Sequence, residues 1–220
     1  LALAAIMLIG MMVVSASATG LDDFSDKDKV VNKDAVSMLT TLGVINGKED
    51  GSYFDPTGNV TRAEMAKMLC VAINGGVDPV LGVKDTPTFT DIKGTWAESY
   101  IEYCAANGII AGRGNNKFDP TGTVSATEAA KMLLGVLGYS AEKSGLVGND
   151  WAINTNVLAN QNGLYKKLAN LNANTLLTRD NAAQMIYNAL DANMVELNAA
   201  GNYTTSQYSY TGTESVVTGT

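Results

Sequence analysis

The sequence predicts an all-α protein: three helix-loop-helix units packed about a pseudo-threefold axis, preceded by a secretion signal and followed by an extension of β character. Two observations carry that reading. The stretch Val60-Thr61-Arg62-Ala63-Glu64 returns as Val124-Ser125-Ala126-Thr127-Glu128 and again as Leu177-Thr178-Arg179-Asp180-Asn181. Around the first two copies, matched positions keep a nearly fixed offset. Phe24 to Phe89, Asp26 to Asp91, Gly43 to Gly108 and Gly47 to Gly112 are each 65 apart, and Phe54 to Phe118, Pro56 to Pro120 and Glu64 to Glu128 are each 64 apart. Self-similarity at a fixed period marks a supersecondary unit that cannot bury its apolar face alone.

Residues 1–18 are an uncharged apolar run ending in Ala16-Ser17-Ala18, the small-x-small pattern of a signal peptide. A membrane anchor is the rival reading, but the run is short for a span. The first unit is read over 21–74. Its opening helix covers about 33–42, with Ala35, Val36, Leu39 and Leu42 on one face and Gly43 as the stop signal. A turn-rich loop around Tyr53 and Phe54 follows, and a second helix starts at Thr61 with Met65, Met68, Leu69 and Ala72 inward. A linker over 75–88 leads to the second unit at 89–138. The third unit, at 139–197, is degenerate: Trp151 and Gly163 keep a 55-residue offset from Trp96 and Gly108, and Thr178-Arg179 heads a last helix, but no Phe-Asp-Pro loop lies between them. Residues 198–220 read as a linker or the start of a further domain.

The chain has 220 residues, 46% of them hydrophobic, and a formal charge of -7 from 15 Lys+Arg against 22 Asp+Glu. That balance argues against a nucleic-acid partner. There is no histidine, which excludes histidine-based triads and histidine metal sites. No cofactor or metal motif is found, and the Glu49-Asp50-Gly51 loop reads as a turn without the ligand spacing of a calcium site. Cys70 and Cys104, the only two cysteines, read as small buried hydrophobes. Export permits a disulfide between them, but their sequence spacing gives no guide to their separation in space.

Thr61 with Glu64 and Ser125 with Glu128 form capping boxes, in which the hydroxyl accepts from a free helix N–H and the carboxylate reaches back. Arg62 and Arg179 do not fit that explanation, because a cation at the first helical position meets the positive end of the helix dipole. Beside free N–H groups they suggest an anion-binding corner for a carboxylate or phosphate. The bland alternative is a surface arginine paired with a nearby acid. Trp96 and Trp151 suit stacking on a sugar face, although a tryptophan opening an amphipathic helix is more often core. Asp26 and Asp91 read equally as acceptors of sugar hydroxyls and as first-turn caps.

The order Phe89-x-Asp91, Trp96-Ala97, Ile101, Gly108-Ile109-Ile110-Ala111-Gly112, Phe118-x-Pro120, with Thr61-Arg62-Ala63-Glu64 from the first copy, resembles the S-layer homology domain. The resemblance covers about 21–197. It implies a three-pronged helical spindle at the cell wall or cell surface that anchors a secreted protein by binding an anionic, pyruvylated secondary cell-wall polymer in grooves between repeats. It further implies that the motif arginine pairs with the ketal carboxylate. The expected ligand-binding residues are Thr61, Arg62, Glu64, Trp96, Gly112, Trp151, Thr178 and Arg179, with no catalytic residue among them. Ala126 cannot play the arginine's part, so the groove headed by the second copy is expected to be weak. Two further departures are Val31-Asn32 in place of Trp-Ala and Asp180-Asn181 in place of Ala-Glu. The alternatives are a surface-array protein whose repeats self-associate, and the anchor of an exoenzyme whose catalytic domain lies beyond residue 220. Catalysis within the chain would need facing carboxylates, for which Glu64 and Glu128 are the matched pair.

Overall fold

The computed structural model describes residues 20–168, 171–172 and 174–206. The signal-peptide reading of 1–18 lies outside the described residues, as does any reading of 207–220. Among the described residues, no helix is long and apolar enough to cross a membrane.

Among the described residues, six α-helices form: α1 (Lys33–Thr41), α2 (Arg62–Ile73), α3 (Glu98–Ala106), α4 (Ala126–Val136), α5 (Trp151–Gln161) and α6 (Arg179–Leu190). The capping boxes set the starts of α2 and α4: Thr61 Oγ1 accepts from the Glu64 N–H, and Glu64 Oε2 accepts from the Thr61 N–H at 2.9 Å. Ser125 and Glu128 repeat the arrangement. The predicted inward faces are buried, including Ala35, Val36 and Leu39 on α1, Met65, Met68 and Leu69 on α2, and Ala182, Met185 and Ile186 on α6.

The helices pair chiefly between units and not within them. α2 packs on α3, α4 on α5, and α6 on α1. Each prong therefore takes the second helix of one unit and the first helix of the next, which is why no single unit closes its own core.

The prongs meet at a ring of backbone hydrogen bonds. Val60 N–H donates to Leu177 O (2.9 Å), Leu177 N–H to Val124 O (2.9 Å), and Val124 N–H to Val60 O (3.0 Å). All three residues are fully buried. A second ring lies beside it: Arg62 N–H donates to Gly122 O, Ala126 N–H to Thr175 O, and Arg179 N–H to Gly58 O, at 2.8–3.0 Å. Buried N–H groups must be paired, and here the loop of each following unit pairs them. The two rings give the predicted pseudo-threefold arrangement.

Around this centre, Phe24 stacks on Phe54 (5.6 Å) and Phe89 on Phe118 (5.5 Å). Asp26 accepts from the Phe54 and Asp55 N–H groups, and Asp91 from those of Phe118 and Asp119. The capping reading of these aspartates is thereby corrected: each side chain pins a loop and makes no helix-capping bond.

The described residues end in a hairpin, β1 (Met194–Leu197) paired antiparallel with β2 (Tyr203–Ser206). β1 begins inside the stretch read as the third repeat. Val195 explains why: it is buried and its N–H donates to Leu137 O at 2.8 Å. Gly138 permits this approach, because a Cβ there would sit 1.9 Å from Val195 O.

Candidate functional site

The backbone rings place the first residue of α2, α4 and α6 at three corresponding corners, each facing the loop of the next unit. At the corner between units one and two, the Arg62 guanidinium is 3% exposed and lies 4.3 Å from the Phe118 ring centre. Its Nε donates to Phe118 O and its NH2 to Ala111 O, both at 2.7 Å. NH1 lies 3.6 Å from Glu128 Oε1. Burial pushes the Arg62 pKa down to about 10, with Glu128 pulling it back up, so the group stays charged at neutral pH.

At the corner between units three and one, Arg179 is 6% exposed, sits over Phe54 (5.1 Å), and donates from Nε to Phe54 O (2.7 Å) and from NH2 to Asn46 O (2.9 Å). Among the described residues it has no carboxylate within ion-pair distance. Burial lowers its pKa, and Glu64 is the first carboxylate opposing that shift.

These positions correct the picture of arginines beside free helix N–H groups. The N–H groups of Arg62 and Ala63 are bonded to Gly122 O and Pro120 O, that of Glu64 to Thr61 Oγ1, and those of Arg179 and Asp180 to Gly58 O and Pro56 O. A local rule for helix starts treats the first turn as solvated, whereas here the next unit covers it. The surface-arginine alternative fails for the same reason.

Two cations at these corners were missed in the sequence. Lys48 and Arg113 each follow the second glycine of the loop and keep the 65-residue offset of Gly47 and Gly112. Lys48 pairs with Glu64. Arg113 donates to Glu128 Oε1 from Nε (3.0 Å) and NH2 (2.7 Å), and to Asp119 Oδ2 from NH1 (2.6 Å). Unlike Arg62 and Arg179, both reach solvent, with side chains 28% and 35% exposed. Burial pushes Glu64 up, yet the Lys48 ammonium and the Thr61 N–H more than offset it and hold the carboxyl below its usual range. Glu128 is likewise raised by burial and lowered further by the Ser125 N–H and Arg113.

The third corner, between units two and three, is neutral. Ala126 stands at the arginine position, and Leu168, at a 55-residue offset from Arg113, is buried. The carbonyl matching Ala111 O and Asn46 O is Lys166 O. It receives the Nδ2 of Asn188, which also bonds Leu164 O, each at 2.9 Å. Asn188 sits on α6, so this unit fills its own corner.

Of the other expected site residues, Thr61 and Thr178 are N-caps, Thr178 accepting from the Asn181 N–H. Gly112 is held against its surroundings, since a Cβ would lie 2.6 Å from Lys117 O and 2.8 Å from the Phe89 ring. Trp96 is 61% exposed and stands edge-on to Tyr100; Ala97 takes the inward place, so the core reading of Trp96 is corrected. Trp151 is half-buried beneath the Lys131 ammonium, 5.2 Å from its ring. The structure thus brings Thr61, Arg62, Glu64, Gly112, Thr178 and Arg179 to two corners and leaves both tryptophans outside the hydrogen-bond networks there.

The family model described as the S-layer homology domain matches residues 23–66 and 88–130. The chain carries S-layer homology domains. The third unit lies outside both matched ranges, and it is the backbone rings that set it beside the other two. Among relatives, an S-layer protein of Bacillus licheniformis is 31% identical over 113 residues, covering 51% of this chain and 12% of its own length. The surface-layer 125 kDa protein of Lysinibacillus sphaericus is 31% identical over 193 residues, covering 81% of this chain and 16% of its own. Exoglucanase XynX of Acetivibrio thermocellus is 28% identical over 156 residues, covering 66% and 14%. The chain thus spans only 12–16% of the length of these relatives. The S-layer homology domains and these matches place it among secreted cell-surface and cell-wall proteins.

Proposed function

We propose that these S-layer homology repeats anchor a secreted protein to the bacterial wall by binding an anionic secondary cell-wall polymer, with a ketal-type carboxylate as the recognised group. The observation that carries this reading is Arg179, a buried guanidinium with two carbonyl partners and no ion-paired carboxylate among the described residues, next to the solvent-reaching Lys48. Carbonyl partners orient a guanidinium without neutralising it. An incoming carboxylate meets Lys48 at the rim, with the Arg179 charge behind it.

The corner at Arg62 is the second, weaker site, because two carboxylates, Glu128 and Asp119, occupy Arg113 and Glu128 also reaches Arg62, whereas at the Arg179 corner Glu64 occupies Lys48 and leaves the guanidinium unpaired. Two such corners on one rigid body would hold a repeating polymer more tightly than either alone. Exposed Trp96 supplies a ring for sugar stacking outside the corners. Catalysis is not part of this reading: Glu64 and Glu128 are both capping residues, both ion-paired, and both held below the usual carboxylate range, which is wrong for a general acid.

The test is co-sedimentation of the chain with purified walls, before and after the secondary polymer is stripped. It includes a Lys48→Gln variant, which removes the rim charge without touching the buried carbonyls. Losing one charge-assisted contact of about 1.5–3 kcal/mol corresponds to roughly a tenfold to hundredfold loss of affinity. Retention that survives both stripping and Lys48→Gln would discard the polymer reading in favour of contacts between copies of the chain.

A further inference from the structure

Cys70 on α2 and Cys104 on α3 come from different repeats, yet both are fully buried in the same prong. Cys104 Sγ lies 3.5 Å from Ala66 O, one helical turn before Cys70 on α2, and each thiol perturbs the other, drawing the Cys70 pKa down and pushing that of Cys104 up; both are free thiols in this structure. The repeats supply an internal comparison. At the matched offsets, Leu134 stands where the first unit has Cys70, and Leu39 where the second has Cys104, both fully buried. The chain's two cysteines thus replace leucines at the two positions that face each other across one helix pair. A packing role alone does not require both replacements to meet.

We propose that Cys70 and Cys104 form a disulfide in the exported protein, a covalent cross-link between the first and second repeats. It bridges α2 and α3, which are otherwise joined by the long connection from Asn74 to Ala97 that exposes Val77, Val80 and Val83. The chemistry is thiol–disulfide exchange with a low-molecular-weight disulfide, before the helices bury the sulfurs. The Cys70 thiolate attacks one sulfur of the oxidant, forming a mixed disulfide and releasing one thiolate. Deprotonated Cys104 then attacks the Cys70 sulfur and releases the second thiolate. The oxidant gains two electrons, and the protein loses two protons and two electrons. The bond needs the sulfurs at about 2.05 Å. Secreted proteins keep such bonds because their compartment is oxidising.

The test uses the full chain, refolded from denaturant with oxidised and reduced glutathione, then alkylated in denaturant and weighed intact. The expected result is a monomer two hydrogens lighter than the reduced chain, with no alkylated thiol, whose melting temperature falls by several degrees when reductant is added. The Cys70→Ala, Cys104→Ala variant should melt at one temperature with or without reductant. Since reduced wild-type protein is the reference, a variant that folds poorly leaves the result readable. Two alkylated thiols after oxidative refolding, or cross-links only between chains, would overturn the proposal.

Discussion

The corner between units one and two and the corner between units two and three share a backbone and differ in almost everything else. Both close through the same ring bonds, Arg62 N–H to Gly122 O in one and Ala126 N–H to Thr175 O in the other. In the first, the loop carbonyl Ala111 O is held by a guanidinium from the neighbouring unit; in the second, the equivalent Lys166 O is held by Asn188 from its own. Closing the spindle therefore needs a donor at that carbonyl but not a charge. The charged corners carry something folding does not demand, which is the physical reason to look for a ligand there.

The largest break in this comparison comes from Arg62→Met. It strands Phe118 O and Ala111 O, and takes from Glu128 one of its two arginine neighbours, leaving Arg113 and the Ser125 N–H. Removing one partner from a buried charged network costs about 3–5 kcal/mol. Urea unfolding should show a clear drop in midpoint, larger than for Arg179→Met, which strands two carbonyls but no ion-paired acid. Equal losses would mean that the Glu128 contact at 3.6 Å contributes nothing.

Asn188→Leu is the matching change at the neutral corner. It leaves Leu164 O and Lys166 O without their donor, at a cost of about 1–3 kcal/mol by the same urea measurement. A loss below about 0.5 kcal/mol, the usual range for an inconsequential change, would show that this carbonyl needs no side-chain donor. The equivalence drawn between Asn188 and the arginines would then fail.

How much of this was legible in the sequence depended on distance along the chain. Thr61 and Glu64 lie three residues apart, so their capping box could be read directly, and the 65- and 64-residue offsets exposed the repeat. Lys48 and Arg113 kept the same offset but sat in a loop read only as a turn. The burial of Arg62 could not be read, because the loop covering it arrives 56 residues later. The departures at Asn32 and Asp180 looked like two separate losses. They are one contact: Asp180 Oδ2 accepts from Asn32 Nδ2 at 2.8 Å, and the Asp180 carboxylate also accepts from the Asn32 N–H. The partners are 148 residues apart, beyond any local pattern.

That pairing yields a smaller prediction. Burial pushes the Asp180 pKa up, and the Asn32 donors oppose the shift. Asn32→Ala and Asp180→Ala should therefore be non-additive, with a coupling of about 0.5–3 kcal/mol in a double-mutant cycle. Additive losses would mean that the two departures are independent after all.

The smallest effect bears directly on the charged corners. Glu64→Gln keeps a side chain able to complete the capping box but removes the anion that occupies Lys48. If the corner holds a ligand carboxylate, Glu64 is its internal competitor, and wall binding should rise by about threefold, or ~0.6 kcal/mol. The gain should shrink with salt, since the exchange lies at the solvent-reaching rim. The same substitution has a sign on the acid side of the stability curve. Glu64 is held below its usual pKa in the folded chain, so it stabilises at neutral pH and that contribution disappears as pH falls through the folded pKa. Glu64→Gln should flatten the acid limb below about pH 4.3, the unfolded glutamate value, and lower stability slightly at pH 7. A variant that flattens the acid limb but leaves wall binding unchanged would place Glu64 in folding alone and move the anion site away from Lys48. Stronger binding together with lower stability would tie the two roles to one carboxylate.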